Sequence, residues 1–368
     1  MKKLQLIGVA AALCLGLTGA ASADDITIGV AGPLTGQYAT FGQQFKNGAT
    51  LAIADINAAG GVLGKKLKMD IEDDACDPKQ ARSVAEKLVG LNVPVVIGHF
   101  CSGSSIPASD VYTDAGVLEI TPASTNPKFT ERGMWNTFRV CGRDDQQGQV
   151  AGKYILQHYK GKNVAIVHDK QTYSQGLADQ VKKTINAGGL KEKMNESFGK
   201  DDKDFNALVS RMKANKIDVV YVGGYHTSAG LMLRQMRAQG LKAQMLSGDA
   251  LATQEFWSIT GDAGAGMMFT FGPDPTRRPV AAKVVKAFKA KGINPEGYTL
   301  YTYAAIQIWA QAAAKAKTTD PKKVAATIHG GKWDTVLGQI GYDKKGDITR
   351  LDYVFYVWKK GGTYQEVE

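Results

Sequence analysis

Three stretches place hydroxyls or a carboxylate at points where backbone donors should also be available. In IGHFCSGSS (97–105), followed by Ile106 and Pro107, an apolar run gives way to hydroxyls and then to a helix start. Unpaired N–H groups at such a start, with the Ser102 and Ser104 hydroxyls, form a site for an anion such as a carboxylate. Capping of the helix by Ser104 or Ser105 is the plain alternative. ITPASTNP (120–127) is a second loop of this kind, with the Thr125 hydroxyl able to donate or accept and the Ala123 carbonyl able to accept. LSGDAL (246–251) puts one carboxylate, Asp249, among apolar and small residues. A desolvated acid is costly without a cation, so Asp249 suits an ammonium; a turn or cap aspartate is the alternative. Tyr225 in GGYHTSAG (223–230) and Phe41 in QYATFGQQ (37–44) offer rings that would cover a ligand or belong to the core. Together these groups are suited to both ends of a zwitterion.

Signatures of covalent chemistry are missing. Gly29, Gly32 and Gly36 are spaced wrongly for a dinucleotide-binding turn, and no Walker loop, HExxH pair or GxSxG elbow occurs. His168 and Asp169 are adjacent, but neighbours on a strand point to opposite faces and form no dyad by themselves. Binding is therefore the default reading, with no catalytic residue, cofactor or metal expected and an exported enzyme as the remote alternative.

The elements that must position these loops alternate between apolar runs and helical periodicity. Strands are expected at 26–32, 67–73, 93–99, 118–124, 164–169, 218–224, 244–250 and, late in the chain, 353–360. Phe45, Ala49, Ala52, Ile53 and Ile56 form one face of a helix that stops before Gly60-Gly61; further helices are expected at about 80–90, from about Ser105, at 277–291 and at 300–316. Strands joined by single helices are parallel, covered on both faces and connected right-handedly. The fold class is thus α/β, with two doubly wound parallel-sheet lobes. In such folds ligands sit outside the carboxyl ends of the strands, where the three polar loops lie.

The 368 residues exceed what one compact core usually holds and suit two lobes. Lys2 and Lys3, an apolar stretch from Leu4 to Ala21 and the small-residue triplet Ala21-Ser22-Ala23 read as a signal peptide over 1–23, cleaved before Asp24. Cys14 follows Leu13, which does not suit a lipid-attachment site, and no later stretch is long and apolar enough to span a membrane. The mature product is expected to be soluble and periplasmic. Without the leader the formal charge falls from +10 to +8, and the basic residues are scattered among acidic ones as in KDDKD (200–204), so a solvated basic surface is expected and nucleic acid is not. In an oxidising compartment Cys76 and Cys101, each just after an expected strand, are expected to pair, leaving Cys141 free. The spacing and the dispersed histidines argue against a metal site.

Over nearly its whole mature length the chain resembles the periplasmic leucine/isoleucine/valine-binding proteins that serve ABC importers. The resemblance rests on ADINAAGG (54–61), DDACDPKQ (73–80), IGHFCSGSS, ITPASTNP, IVHDKQTYSQG (166–176), LVSRMK (208–213), GGYHTSAG and YDKKGD (342–347), in order. It implies a type I periplasmic binding fold with a three-crossover hinge, returning to the first lobe near 272–275. The lobes implied are 24–143 plus 273–350 and 144–272 plus 351–368. By the same resemblance the ligand is a branched-chain aliphatic amino acid, with amides, urea and aromatic acids as ligands of other relatives, and the partner is a membrane permease; a monomer is expected. The resemblance puts the carboxylate-binding serine on Ser102 beside Cys101, further ligand contacts on Ala123 and Thr125, the cleft tyrosine on Tyr225 and the ammonium-binding acid on Asp249. Pocket aromatics fall on Phe41, Tyr173 and Tyr298, and the family disulfide on Cys76 and Cys101. Two departures alter pocket depth and polarity: Asp249 is one methylene shorter than the usual glutamate, and Phe41 lacks a tyrosine hydroxyl.

Overall fold

The computed structural model describes residues 25–350 and 353–367; the expected leader lies outside them. The chain begins with β1 (Ile26–Gly32), α1 (Ala39–Ala58), β2 (Leu67–Asp73), α2 (Pro78–Gly90), β3 (Val95–Ile97), α3 (Ser102–Ala115), β4 (Leu118–Thr121), α4 (Lys128–Glu131) and β5 (Thr137–Arg139). These strands form one parallel sheet in the order β2-β1-β3-β4-β5. Alternation along the strands divides the core into two faces. Ile28, Val30, Val95 and Ile97 join the main core with Phe45 and Ala49 of α1, whereas Ala31 and Val96 pack with Ala81, Val84 and Leu88 of α2 and Tyr112 of α3.

The chain then enters a second body through α5 (Asp144–His158), β6 (Val164–His168), α6 (Thr172–Ala187), β7 (Met194–Ser197), α7 (Asn206–Ala214), β8 (Val219–Gly223), α8 (His226–Ala238), β9 (Gln244–Ser247), α9 (Gln254–Thr260) and β10 (Met268–Phe271). It returns through α10 (Ala282–Ala290), α11 (Thr299–Ala316), α12 (Pro321–His329) and the hairpin β11 (Lys332–Thr335)–β12 (Gly338–Gly341), with α11 packed on α1 and reaching β3 and β4. A third passage leads to β13 (Val354–Lys359) and β14 (Thr363–Glu366), which complete a seven-stranded sheet ordered β14-β13-β10-β9-β8-β6-β7.

Sequence and structure agree closely where signals are local. The strands at 26–32 and 67–73 match residue for residue, and α2 starts at Pro78 with the Asp77 carboxylate accepting from the Lys79 and Gln80 N–H groups at 2.9 Å. The differences have physical causes. The second sheet is not wholly parallel, because β13 arrives directly from the third passage and pairs antiparallel with β10, and β14 folds back on it as a hairpin. The strands expected at 93–99 and 244–250 pair only over Val95–Ile97 and Gln244–Ser247, since their last residues turn into the loops that face the other body. Helix α3 begins at Ser102, three residues earlier than the hydroxyl pattern suggests, with Cys101 as its N-cap residue. No helix among the described residues is long and apolar enough to cross a membrane.

Candidate ligand site between the lobes

The site is assembled by loops at the carboxyl ends of β3, β4, β8 and β9, with residues from α6 and the start of α11. The β3 loop is anchored first. Gly98 passes against β1, where a β-carbon would lie 2.4 Å from the Ala31 carbonyl oxygen, so only glycine fits. His99 is fully buried between the Asp74 carboxylate, 2.6 Å from Nδ1, and the Tyr112 hydroxyl, 3.0 Å from Nε2. Cys101 is bonded to Cys76, as expected, with a Cα–Cα distance of 5.6 Å. The first turn of α3 is thereby held in place. The Ser104 and Ser105 N–H groups close onto the Cys101 carbonyl at 2.8 and 3.0 Å, so neither serine is the cap. Ser102 Oγ accepts the Asn126 N–H at 3.2 Å, which ties the β3 loop to the β4 loop.

The β4 loop is held from below. Arg139, its side chain wholly enclosed, donates to the Ser124 carbonyl at 2.6 Å, the Asn126 carbonyl at 3.1 Å and the Asp347 carboxylate at 2.6 Å. Asp347 also pairs with Arg143 at 2.6 Å. Ala123 and Thr125 are buried on this loop; the Thr125 carbonyl accepts the Asp144 N–H at 2.9 Å, and its hydroxyl faces the Asp144 carboxylate.

The opposite wall comes from the second body. Asp249 follows β9 in a short 3₁₀ turn and is 4 % exposed. Its Oδ1 accepts the Tyr173 hydroxyl at 2.9 Å, and its Oδ2 accepts the Tyr298 hydroxyl in a short bond. Tyr173 lies on α6 and Tyr298 precedes α11, so the acid is held by phenols from both bodies. Burial raises the Asp249 carboxyl above the usual range against the lowering effect of those hydroxyls. Burial also pushes both phenols well up, so they remain donors. No cation pairs with Asp249 among the described residues. Close by, Asp144 at the start of α5 is fully buried; burial first, then the Asp249 charge, pushes it well above the usual carboxylate range against the lowering effect of the Thr125 hydroxyl.

Ser102, Ala123, Tyr173, Tyr225 and Asp249 meet around one cavity of ≈ 10 Å³, completed by Phe100 and Ala250. The other residues singled out in the sequence lie around it. Phe41 is fully buried and stacks on Phe100 at 4.1 Å between ring centres. Tyr298 reaches the site through Asp249, Cys101 supports it through the disulfide, and Thr125 is not among the lining residues. A second cavity of ≈ 320 Å³ lies on the other side of Asp249, bordered by Cys141, Phe271, Tyr301 and Tyr353 where the chain passes between the bodies. Cys141 is a buried free thiol there, bonded to the Ser124 carbonyl at 3.6 Å.

Around the cavity the two bodies touch directly. Gln171 donates to the Tyr38 hydroxyl at 2.8 Å, Asn126 to the Thr172 carbonyl at 2.9 Å and Thr227 to the Gln37 carbonyl at 3.1 Å; Thr40 and Thr253 share a hydrogen bond at 3.1 Å. Tyr38 and Tyr225 rings pack at 4.4 Å. This is a two-lobed clamp with an acid on one jaw and hydroxyls at a helix start on the other.

A family model described as periplasmic binding protein matches residues 25–363. The chain belongs to that family. It is 50% identical, over the whole of both chains, to Leu/Ile/Val-binding protein homolog 1 of Brucella abortus (strain 2308). The leucine binding protein LivK of Thermotoga maritima superposes with a TM-score of 0.87 at 28% identity, covering 93% of this chain and 98% of that one. The LivJ substrate-binding protein of Streptococcus pneumoniae, in complex with isoleucine, gives a TM-score of 0.85 at 26% identity over 93% and 99%. The two sheets, linked by three passages, are therefore the type I periplasmic binding fold. Sequence reasoning missed two parts of this binding protein's site: Phe100, which stands in the quoted IGHFCSGSS motif just after the expected strand at 93–99, and Asp144, which lies outside every motif quoted above. A bulky ring directly before the disulfide cysteine was the available signal for the first.

Proposed function

We propose that the protein captures an aliphatic L-amino acid of the leucine/isoleucine/valine class between its lobes and hands it to the membrane permease of an ABC importer. The lobes are 24–143 plus 273–350 and 144–272 plus 351–368, and the leader 1–23 directs a monomer to the periplasm. The ligand carboxylate docks on the first lobe at Ser102 and the free N–H groups of α3, beside Ala123 and Thr125. Its ammonium meets Asp249, with Tyr225 and Tyr173 closing over it, while Phe41, Tyr298 and Cys101 support the walls. No covalent step is involved. Ligand bridging favours the closed arrangement because both sets of contacts exist only there.

The observation that carries this reading is Asp249. It is a buried carboxylate with only uncharged donors, the Tyr173 and Tyr298 hydroxyls and the Gln147 amide, across a cavity from a serine at a helix start. A bound ammonium supplies the missing charge. Titration calorimetry of the mature chain with leucine, isoleucine and valine, alongside an aliphatic amide and a benzoate, tests it. Saturable heats with the amino acids are expected; heats only with the amide or the benzoate would overturn it.

A further inference from the structure

We propose that the exposed face of α10 docks on an anionic phospholipid surface, so that the protein collects at a membrane through a strip of lysines. The strip lies outside the ligand site, and its role does not depend on which solute the cleft takes.

Between Asp274 and Glu296 the chain carries Arg277, Arg278, Lys283, Lys286, Lys289 and Lys291 and no acidic residue. Helix α10 turns Val284, Val285 and Phe288 into the protein. With about 3.6 residues per turn, its opposite side consists of Ala282, Lys283, Lys286, Lys289 and Ala290, all of them exposed. Three lysines thus share one face at i, i+3 and i+6, with only alanine methyls between them. Like charges so placed repel one another, and no acid on the helix relieves them. Among the described residues none of the six cations belongs to an ion pair; Arg278 holds the Leu337 carbonyl at 2.9 Å instead. Just ahead of the helix, Pro279–Ala281 form a 3₁₀ turn on which Val280 stands 54 % exposed, the most exposed large hydrophobic side chain among the described residues.

The make-up of this face selects its partner. Protein interfaces are depleted in lysine and enriched in arginine and aromatic rings, and this face offers lysines without a ring. Single-stranded nucleic acid needs aromatic platforms for its bases, which are equally lacking here. A sheet of phosphate head groups needs neither. It presents a diffuse negative potential that compact charges on flexible stems can meet at any spacing, and each lysine brought to it raises partitioning about fivefold. The Val280 methyls would enter the boundary between head groups and chains, beside the cations that flank them. One helix face held mainly by charge gives reversible attachment and not an anchor. The attraction reaches about 10 Å at about 0.1 M salt, so the protein stays near the surface while free to turn. For a chain with the transport role proposed above, the search for a membrane permease then runs over a surface instead of through a volume.

The test is co-sedimentation of the mature chain with vesicles of phosphatidylglycerol and phosphatidylcholine in equal parts, and with vesicles of phosphatidylcholine alone, at about 0.1 M salt. The wild type is expected in the pellet with the anionic vesicles only, and to leave it at about 1 M salt, where screening shortens the reach to about 3 Å. The triple variant Lys283→Gln, Lys286→Gln, Lys289→Gln should lower partitioning by on the order of 100-fold, and Val280→Ser by less. Glutamine keeps the helix propensity of lysine, and melting temperature and leucine affinity, read alongside, should match the wild type. If the triple variant does not fold, Lys286→Gln alone should lose about fivefold. Equal binding to both kinds of vesicle, or a triple variant that partitions like the wild type, overturns the proposal. So does retention of the wild type by immobilised polyglutamate without binding to anionic vesicles, which would assign the face to an acidic protein. Failure of leucine, isoleucine and valine to bind would overturn the proposed solute and leave the vesicle result standing.

Discussion

Ser102 and Asp249 face the same cavity but are held in opposite ways. Ser102 sits on a loop fastened by a disulfide, a buried histidine–aspartate contact and the Arg139 guanidinium below. Every one of those tethers belongs to the first lobe, and they persist whatever the second lobe does. Asp249 is held by two tyrosine hydroxyls, one of which comes from the other side of the cleft, and its charge has no counterpart. The first wall is built for stability; the second keeps an electrostatic debt that closure on a cationic group settles. Substitutions should therefore separate the two walls, lowering stability on one and affinity on the other.

The largest effect is expected at Arg139. Replacing it by leucine removes the fully buried member of the two guanidiniums on Asp347 and takes a charged donor from the Ser124 and Asn126 carbonyls, and breaking a buried pair of this kind costs about 3–5 kcal/mol. Urea denaturation followed by circular dichroism would show the midpoint falling; an unchanged midpoint would mean the network contributes nothing to the first wall. Next comes the disulfide, which closes a sequence separation of 25. Cys76→Ser combined with Cys101→Ser should cost about 3.5 kcal/mol in the chain-entropy picture, seen as a lower melting temperature in calorimetry. A double variant as stable as the parent would show that the histidine and arginine tethers alone hold the loop.

How legible these walls are in the sequence follows the same division. Local signals are strong: the apolar runs that become β1 and β2, the Asp77-Pro78 cap and the two cysteines after strands all point to their observed places. That Ser102 and Asp249 would share a cavity follows from loops gathering at the carboxyl ends of parallel strands. The long-range polar partners do not show, because nothing local in RVCGRDD announces that Arg139 meets Asp347, 208 residues further on. Nor does the pattern distinguish Phe100 from a core ring, since burial on a strand end is the commoner fate of such a residue. The antiparallel β13 and β14 escape for a related reason: an apolar run declares a strand but not its direction.

On the second wall the signs reverse. Asp249→Asn should weaken amino-acid binding by about 2–3 kcal/mol, on the order of 30- to 150-fold, by removing the charge that faces the ammonium. The same change should not lower the melting temperature of the unliganded protein. An acid whose folded pKa is raised contributes stability below its unfolded pKa that is lost as pH rises through the folded value, so at neutral pH the native carboxylate is a cost. A fall in both affinity and melting temperature would place Asp249 with the structural wall instead.

The smallest effect, and the sharpest on the comparison, is at the phenols that share this acid. Tyr298→Phe removes one donor to the Asp249 carboxylate and should cost about 1–2 kcal/mol in affinity at neutral pH. Because that hydroxyl lowers the Asp249 pKa against burial, its loss should raise the free-site pKa further. Binding an ammonium requires the ionised acid, so affinity falls as pH drops through the free-site value, and protons are released on binding below it. In Tyr298→Phe the fall should begin at higher pH than in the wild type, measurable as a displaced affinity–pH curve in calorimetry. Tyr173→Phe, which removes the other donor from the same body as the acid, should displace the curve in the same direction. Coincident curves for all three proteins would mean that neither phenol tunes Asp249, and that burial and the Gln147 amide set the charge on the second wall.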